Sequence, residues 1–406
     1  MYKERTLSKI IKRASQNFKT VILTGPRQVG KTTCLKQLAT EGRKYLTFDD
    51  PMDMSFAKEQ PKDFLEKNKP PVLLDEIQYV SEIFRYIKMI VDNSDKKGQF
   101  WLTGSQQFNL MKNVTESLAG RAAVFDIYGF SIYELFNKAK EQKPFLPSKS
   151  VPQILKTLKT KDTFDLIWKG FFPQIHSIKN LSYVDWKTFY SSYVKTYIDI
   201  DVSQIINVSN QTTFINFLKI TASRTGQELN LNDISKLVGI TSVTAKAWLS
   251  ILQTSGLVFL LQPYFKNISK RLIKKPKLYF TDTGLCCYLL GLNSPEILYD
   301  NFMSGQLFET FAIMEIFKSY WHNGENPDFY FYRDSNQNEI DLLVSINGKL
   351  YPIEIKQTSN PVKEDINNFN VLKSLKEQIG YGSLICLTDK PRALTDKANA
   401  ISIWNI

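Results

Sequence analysis

Gly25-Pro26-Arg27-Gln28-Val29-Gly30-Lys31-Thr32, followed by Thr33, decides the reading of the first third of the chain. The apolar run Val21-Ile22-Leu23 leads into it and reads as a buried strand. Glycines at 25 and 30 permit the backbone turn that aims successive N–H groups at one point. Lys31 then opens a helix whose positive dipole end faces the same point. Strand, loop and helix in this order form a cradle for phosphate. Lys31 is expected to reach the outer phosphates and Thr32 to offer its hydroxyl to Mg2+. ATP with Mg2+ is the expected ligand.

Working outward, short apolar runs alternate with helix-like stretches from Phe18 to Phe130. The runs are Thr20–Thr24, Tyr45–Phe48, Val72–Leu74, Phe100–Thr103 and Ala122–Tyr128. Each is too short for a buried helix, so the fold class is α/β with a parallel sheet. Val72–Leu74 ends in Asp75-Glu76: the first carboxylate suits Mg2+, and the second suits polarising the attacking water. Gln78 lies just beyond and can help orient the water or the γ-phosphate. Phe100–Thr103 ends in a polar tip, where Thr103, Ser105 or Gln106 could sense the γ-phosphate. Arg121 is either a finger for ATP, in this subunit or a neighbouring one, or a surface arginine.

The chain has 406 residues, enough for two or three domains, and a formal net charge of +12, which suits a polyanionic partner. Four cysteines (Cys34, Cys286, Cys287, Cys386) and two histidines (His176, His322) show no zinc spacing. Free thiols, the absence of an apolar leader and the lack of a long apolar run point to a cytoplasmic protein without a membrane partner.

Leu231–Val238, the turn Gly239-Ile240-Thr241 and a second helix from Ser242 to Leu249 read as a winged helix-turn-helix, with Leu257–Leu261 as a wing strand. Ser242, Thr244 and Lys246 are its base-reading candidates. Lys266, Lys270, Arg271, Lys274, Lys275 and Lys277 form a basic cluster suited to a phosphate backbone. Backbone contact should therefore dominate over sequence reading.

Near the end, Asn347-Gly348 is a two-residue hairpin turn between Asn338–Ile346 and Lys349–Gln357. Residues whose numbers sum to 695 then face each other, so Asp341 opposes Glu354 and Glu339 opposes Lys356. Facing carboxylates repel, and a divalent cation between them would compensate. Glu309, inside an apolar helical stretch, is a natural further ligand. Metal-bound water with Lys356 nearby is equipment for phosphodiester hydrolysis, with Asp341, Glu354 and Lys356 as catalytic candidates.

The chain resembles the prokaryotic AAA+-like P-loop ATPases that join a nucleotide-binding domain to an uncharacterised C-terminal region. Gly25–Thr32, Leu73–Gln78, Leu118–Arg121 and Lys277–Leu285 carry the resemblance, which covers nearly the whole chain. Glu339-Ile340-Asp341 and Glu354-Ile355-Lys356 look like the core of the restriction-endonuclease-like fold, with Glu309 in the place of its upstream helical glutamate. The resemblance implies an ATPase domain at 1–140, a helical lid at 141–210, a winged helix at 211–276 and a nuclease-like domain at 277–406. It also suggests an ATP-bridged homo-oligomer. Two functions stay open: ATP hydrolysis controlling a domain that processes DNA, or less readily RNA, and an ATP switch that binds nucleic acid or a protein without cutting.

Overall fold

A computed structural model describes residues 2–39, 42–104, 116–151, 158–198, 211–265, 274–375 and 377–406. The chain divides into two compact units. The first holds Met1–Gln142 with Thr254–Gly256 and Trp321–Gly324, and the second holds Lys143–Gln253, Leu257–Tyr320 and Glu325–Ile406.

In the first unit five strands, β1 (Thr20–Thr24), β2 (Lys44–Thr47), β3 (Val72–Asp75), β4 (Phe100–Thr103) and β5 (Ala122–Asp126), form a parallel sheet in the order β2-β3-β4-β1-β5. Their places match the apolar runs, with shifts of a residue or two at some ends. Alternate side chains serve opposite layers. Ile22, Leu74 and Leu102 pack with Phe64, from the helix Pro61–Lys67, and with Ile83, Phe84 and Ile87, from the helix Ile83–Asp92. On the other face the Trp101 indole N–H donates to Ser15 of the helix Ser8–Asn17 (2.9 Å). Burial on both faces is what parallel strands need, and it explains why these runs are continuously apolar. Because the strands are parallel, the ends of β1, β4 and β3 line up, with β4 between the other two.

The second unit begins with helices and then builds one long sheet. Helices Gln211–Ala222, Leu231–Val238 and Ser242–Thr254 enclose the two-residue strand β6 (Gln227–Glu228) and lead to β7 (Val258–Pro263) and β8 (Lys277–Phe280). Phe214 and Phe217 pack on Trp248 to form the core of this trio. The sheet runs β14-β15-β13-β11-β10-β9-β7-β8-β6, with β12 (Gln378–Ile379) beside β11. Here β9 is Asp328–Arg333, β10 Glu339–Ile346, β11 Lys349–Ile355, β13 Gly382–Cys386, β14 Arg392–Thr395 and β15 Ala398–Ser402.

Across the boundary expected at 276/277, β8 is hydrogen-bonded to β7 and β6, so Lys277–Phe280 pairs with the strands that precede it. The β10–β11 hairpin keeps the expected register, from Leu342↔Ile353 to Ile346↔Lys349. Its turn residues Asn347 (φ 50°) and Gly348 (φ 72°) are both left-handed, as a tight primed turn requires.

Asp282, in a motif that carried the family resemblance, proves structural. Its carboxylate accepts from the N–H groups of Phe171 (2.7 Å) and Leu285 (2.8 Å) and from the Tyr190 hydroxyl (2.9 Å). It thereby caps the helix Thr283–Leu290 and pins the chain near Gly170. All four cysteines are buried free thiols. Among the described residues no helix is long and apolar enough to cross a membrane.

Candidate nucleotide site and a C-terminal carboxylate cluster

The loop after β1 has the shape its glycines demand. Gly25 sits at φ 135°, and a Cβ there would fall 2.0 Å from the Ile127 carbonyl oxygen. Gly30, at φ 90°, turns the chain into the helix Lys31–Leu38. The Lys31 ammonium donates to the carbonyls of Gly25 (2.9 Å) and Pro26 (2.7 Å), so it lies across the mouth of the loop. Thr32 Oγ1 donates to Asp75 Oδ1 (2.9 Å), joining the loop to the acidic strand end.

Asp75 is held from the other side as well, since the Tyr45 hydroxyl donates to its Oδ2 (3.0 Å). Burial raises the Asp75 carboxyl above the ordinary aspartate range, and the Thr32 hydrogen bond partly offsets this. Glu76 takes a left-handed backbone (φ 52°), a conformation that costs a non-glycine residue about 1–3 kcal/mol and tends to mark functional positions. The Gln78 amide donates to Glu76 Oε2 (2.5 Å) and fixes the direction of that carboxylate.

Thr103 ends β4 between these two strand ends, and its buried Oγ1 has no hydrogen-bond partner among the described residues. The other sensor candidates, Ser105 and Gln106, lie outside the described residues. Arg121 is a correction. It precedes β5, whose first residue pairs with Thr20 at the start of β1, so it stands at the opposite end of the sheet from the loop. There it forms a bidentate pair with Asp92 (2.5 and 3.0 Å). Within one subunit it is not brought to the nucleotide.

Three supporting residues escaped the sequence reading. Buried Arg5 donates to the carbonyls of Val29 (2.8 Å), inside the loop, and Tyr128 (2.6 Å), and it pairs with buried Glu134 (3.1 Å). Glu134 also accepts from the N–H groups of Thr6 (2.8 Å) and Ser131 (3.0 Å) and faces His322 Nδ1 (3.3 Å). Burial would raise Glu134, but Arg5 and His322 outweigh it and hold the carboxyl well below the ordinary range. Nothing in the local sequence around Arg5 signals this, because its partners lie 24 residues away at Val29 and more than a hundred away at Tyr128 and Glu134. Gly256 packs so closely on the loop that an added Cβ would meet Pro26 Cγ at 2.9 Å.

In the second unit, the helix Ser304–Trp321 and strands β8, β10 and β11 bring Glu309, Lys277, Glu339, Asp341 and Glu354 together. Lys277 Nζ lies 2.5 Å from Glu339, 3.3 Å from Glu309 and 3.8 Å from Asp341. The Tyr279 hydroxyl donates to Glu309 (2.6 Å), and the Ile355 N–H donates to Asp341 Oδ2 (2.8 Å). Burial, and then mutual repulsion, pushes Asp341 and Glu354 upward, while Lys277 stays well above the ordinary lysine value because its acidic neighbours outweigh its burial.

Three expectations change here. Lys277 is buried among carboxylates and is not part of a phosphate-facing surface; Lys274 and Lys275 are exposed, and Lys266, Lys270 and Arg271 lie outside the described residues. Lys356 pairs with Asp365 (3.1 Å), not with Glu339, whose carboxylate turns to Lys277. Glu309, Asp341 and Glu354 do share one site, yet among the described residues no three acidic, histidine or cysteine side chains are arranged to hold a metal ion. The ammonium of Lys277 stands among them. Of the three residues expected to read bases, Ser242 donates to Asn232 (3.0 Å), Thr244 bonds Thr241 (2.8 Å) and Lys246 is exposed.

Residues 17–136 match the family model described as an AAA domain. Residues 160–296 and 304–406 match two domains of unknown function, DUF8612 and DUF4143. The uncharacterised protein Rv2008c of Mycobacterium tuberculosis is 27% identical over 355 residues, covering 86% of this chain and 73% of its own length. Mb2031c of Mycobacterium bovis shows the same figures. Among solved structures, the Holliday junction branch migration motor RuvB of Thermotoga maritima aligns with a TM-score of 0.29 at 15% identity, over 62% of this chain and 86% of its own. The signal-transduction ATPase PH0952 of Pyrococcus horikoshii aligns at 0.27 and 11% identity, over 75% and 44%. The match of residues 17–136 to the AAA domain model, with the phosphate loop of Gly25–Thr32 inside it, supports ATP binding by this part of the chain.

Proposed function

We propose that this protein hydrolyses ATP as a switch for a C-terminal half that engages nucleic acid, DNA in preference to RNA. The observation that carries the reading is the convergence of Lys31, Thr32, Asp75 and Glu76 at aligned strand ends, with Thr32 bonded to Asp75. Thr32, Asp75 and Glu76 offer hard oxygen donors of the kind Mg2+ takes, and Mg2+ when bound would neutralise phosphate charge there. Thr32 and Asp75 would hold it. Lys31 would bind the outer phosphates, Gln78 would aim the Glu76 carboxylate, and Glu76 would take the proton of the attacking water. Thr103 stands where it could touch the γ-phosphate.

The order helix, strand, helix, turn, helix, strand, strand across Gln211–Phe280 supports a winged helix as the element that engages nucleic acid.

Lys31→Ala should weaken nucleotide binding by about 10- to 100-fold, the worth of a charge-assisted hydrogen bond. Titration with a fluorescent ATP analogue measures this, and unchanged affinity would remove the phosphate-loop assignment.

A second reading, a Mg2+-dependent nuclease at Asp341, Glu354 and Lys356, has the gathering of Glu309, Asp341 and Glu354 in its favour. Defined DNA and RNA incubated with Mg2+, with and without ATP, separate the two. Cleavage abolished by both Asp341→Ala and Glu354→Ala would establish the nuclease. Binding without cleavage under every condition would leave the switch.

A further inference from the structure

We propose that Lys277 is the resident cation of the C-terminal carboxylate cluster and that its ammonium keeps divalent metal out. Four carboxylates, Glu309 from one helix, Glu339 and Asp341 from β10 and Glu354 from β11, meet beside Lys277 of β8. Three of them lie within 3.8 Å of Lys277 Nζ. The fourth, Glu354, is only 7% exposed, and its Oε2 has no hydrogen-bond partner among the described residues.

The remaining nearby cations are engaged elsewhere or at the rim. Lys356 holds Asp365 (3.1 Å), while Arg333 bridges Glu228 (3.1 Å) and the outer oxygen of Glu339 (3.5 Å). A divalent ion on Glu309 and Asp341 would need oxygen contacts of roughly 2.0–2.6 Å. Those oxygens already surround Nζ, so metal and ammonium would lie within a few ångströms in a dry site, where like charges repel strongly. The ammonium and the metal are alternatives. Lys277 is buried and anchored on β8, a strand paired on both sides, so the cluster is satisfied by the chain itself. Removing its charge would leave Glu309, Asp341 and Glu354 without a compensating cation, and a small rearrangement of their oxygens would let a metal ion take its place.

Mn2+ titration of the full-length, nucleotide-free protein, followed by electron paramagnetic resonance of free Mn2+, tests this without reference to cleavage. Wild type and Asp341→Asn should bind Mn2+ alike. Lys277→Met should gain one further equivalent, at least ~10-fold tighter than any wild-type binding at the cluster, and lose it when Asp341→Asn is added. A wild-type equivalent removed by Asp341→Asn alone, or a folded Lys277→Met that gains none, would overturn the proposal. Should Lys277→Met fail to fold, reductive methylation of wild type read by mass spectrometry decides. Lys277 protected with and without millimolar Mn2+ supports the proposal, and Lys277 labelled on adding Mn2+ overturns it.

Discussion

Glu76→Gln should bind ATP as wild type does and turn it over at least ~100-fold more slowly, the usual loss when a positioned base is removed. The substitution keeps the length and the left-handed backbone of residue 76, and an amide oxygen remains to accept from Gln78. Only the proton-accepting charge goes. Nucleotide affinity should hold, because Lys31, Thr32 and the loop N–H groups are untouched, and the lost negative charge, if anything, eases phosphate binding. Steady-state phosphate release, read beside nucleotide affinity, checks both halves. Turnover close to wild type would move the base to another residue and leave Glu76 as a strand-end carboxylate.

Arg5→Met should destabilise the first unit by about 3–5 kcal/mol, the range for removing one partner of a buried ion pair. The side chain is similar in length, so packing on Phe130 largely persists. What disappears is the pairing of Glu134 and the donors to Val29 and Tyr128. Because Val29 is part of the phosphate loop, ATP affinity should fall together with stability. Arg5→Lys should recover only part of the loss, since one ammonium cannot reach Glu134, Val29 and Tyr128 as a guanidinium fork does.

The pH dependence gives an independent check. Glu134 is depressed in the folded state, so its contribution is present above the ordinary glutamate range and lost as pH falls beneath it. The acid-side loss of stability should therefore be smaller in Arg5→Met than in wild type. Urea denaturation at neutral and acid pH measures both effects. A neutral-pH change below about 1 kcal/mol would mean that the pair offsets little more than its own desolvation.

The nucleotide site was legible because its chemistry is local. Gly25, Gly30, Lys31 and Thr32 follow one another on a strand, a turn and a helix, and Asp75-Glu76 ends an apolar run. The hairpin register was legible for the same reason, as Asn347-Gly348 fixes which residues face each other. Lys277 was misread because a run of lysines before a strand looks like a solvated surface. Only its ion pairs to Glu309 on a distant helix and to Glu339 and Asp341 on β10 show that the last of them points among carboxylates. For Arg121 the alternatives stayed open in the sequence, since only the parallel register decides which end of β5 it occupies and so excludes a finger within the same subunit. Ser242 and Thr244 looked free to read bases, but their hydroxyls satisfy local partners.

The sequence by itself determined the phosphate cradle, its acidic partner strand, the α/β class and the register of the hairpin about Asn347-Gly348, all of which depend on contacts within a turn or a strand. Tertiary structure alone decided that Arg5 holds the loop from more than twenty residues away and that Lys277 sits within the carboxylate cluster. Both are ion pairs across distant segments. Their energetics depend on burial and on which oxygens converge, and neither quantity is a property of any stretch of chain.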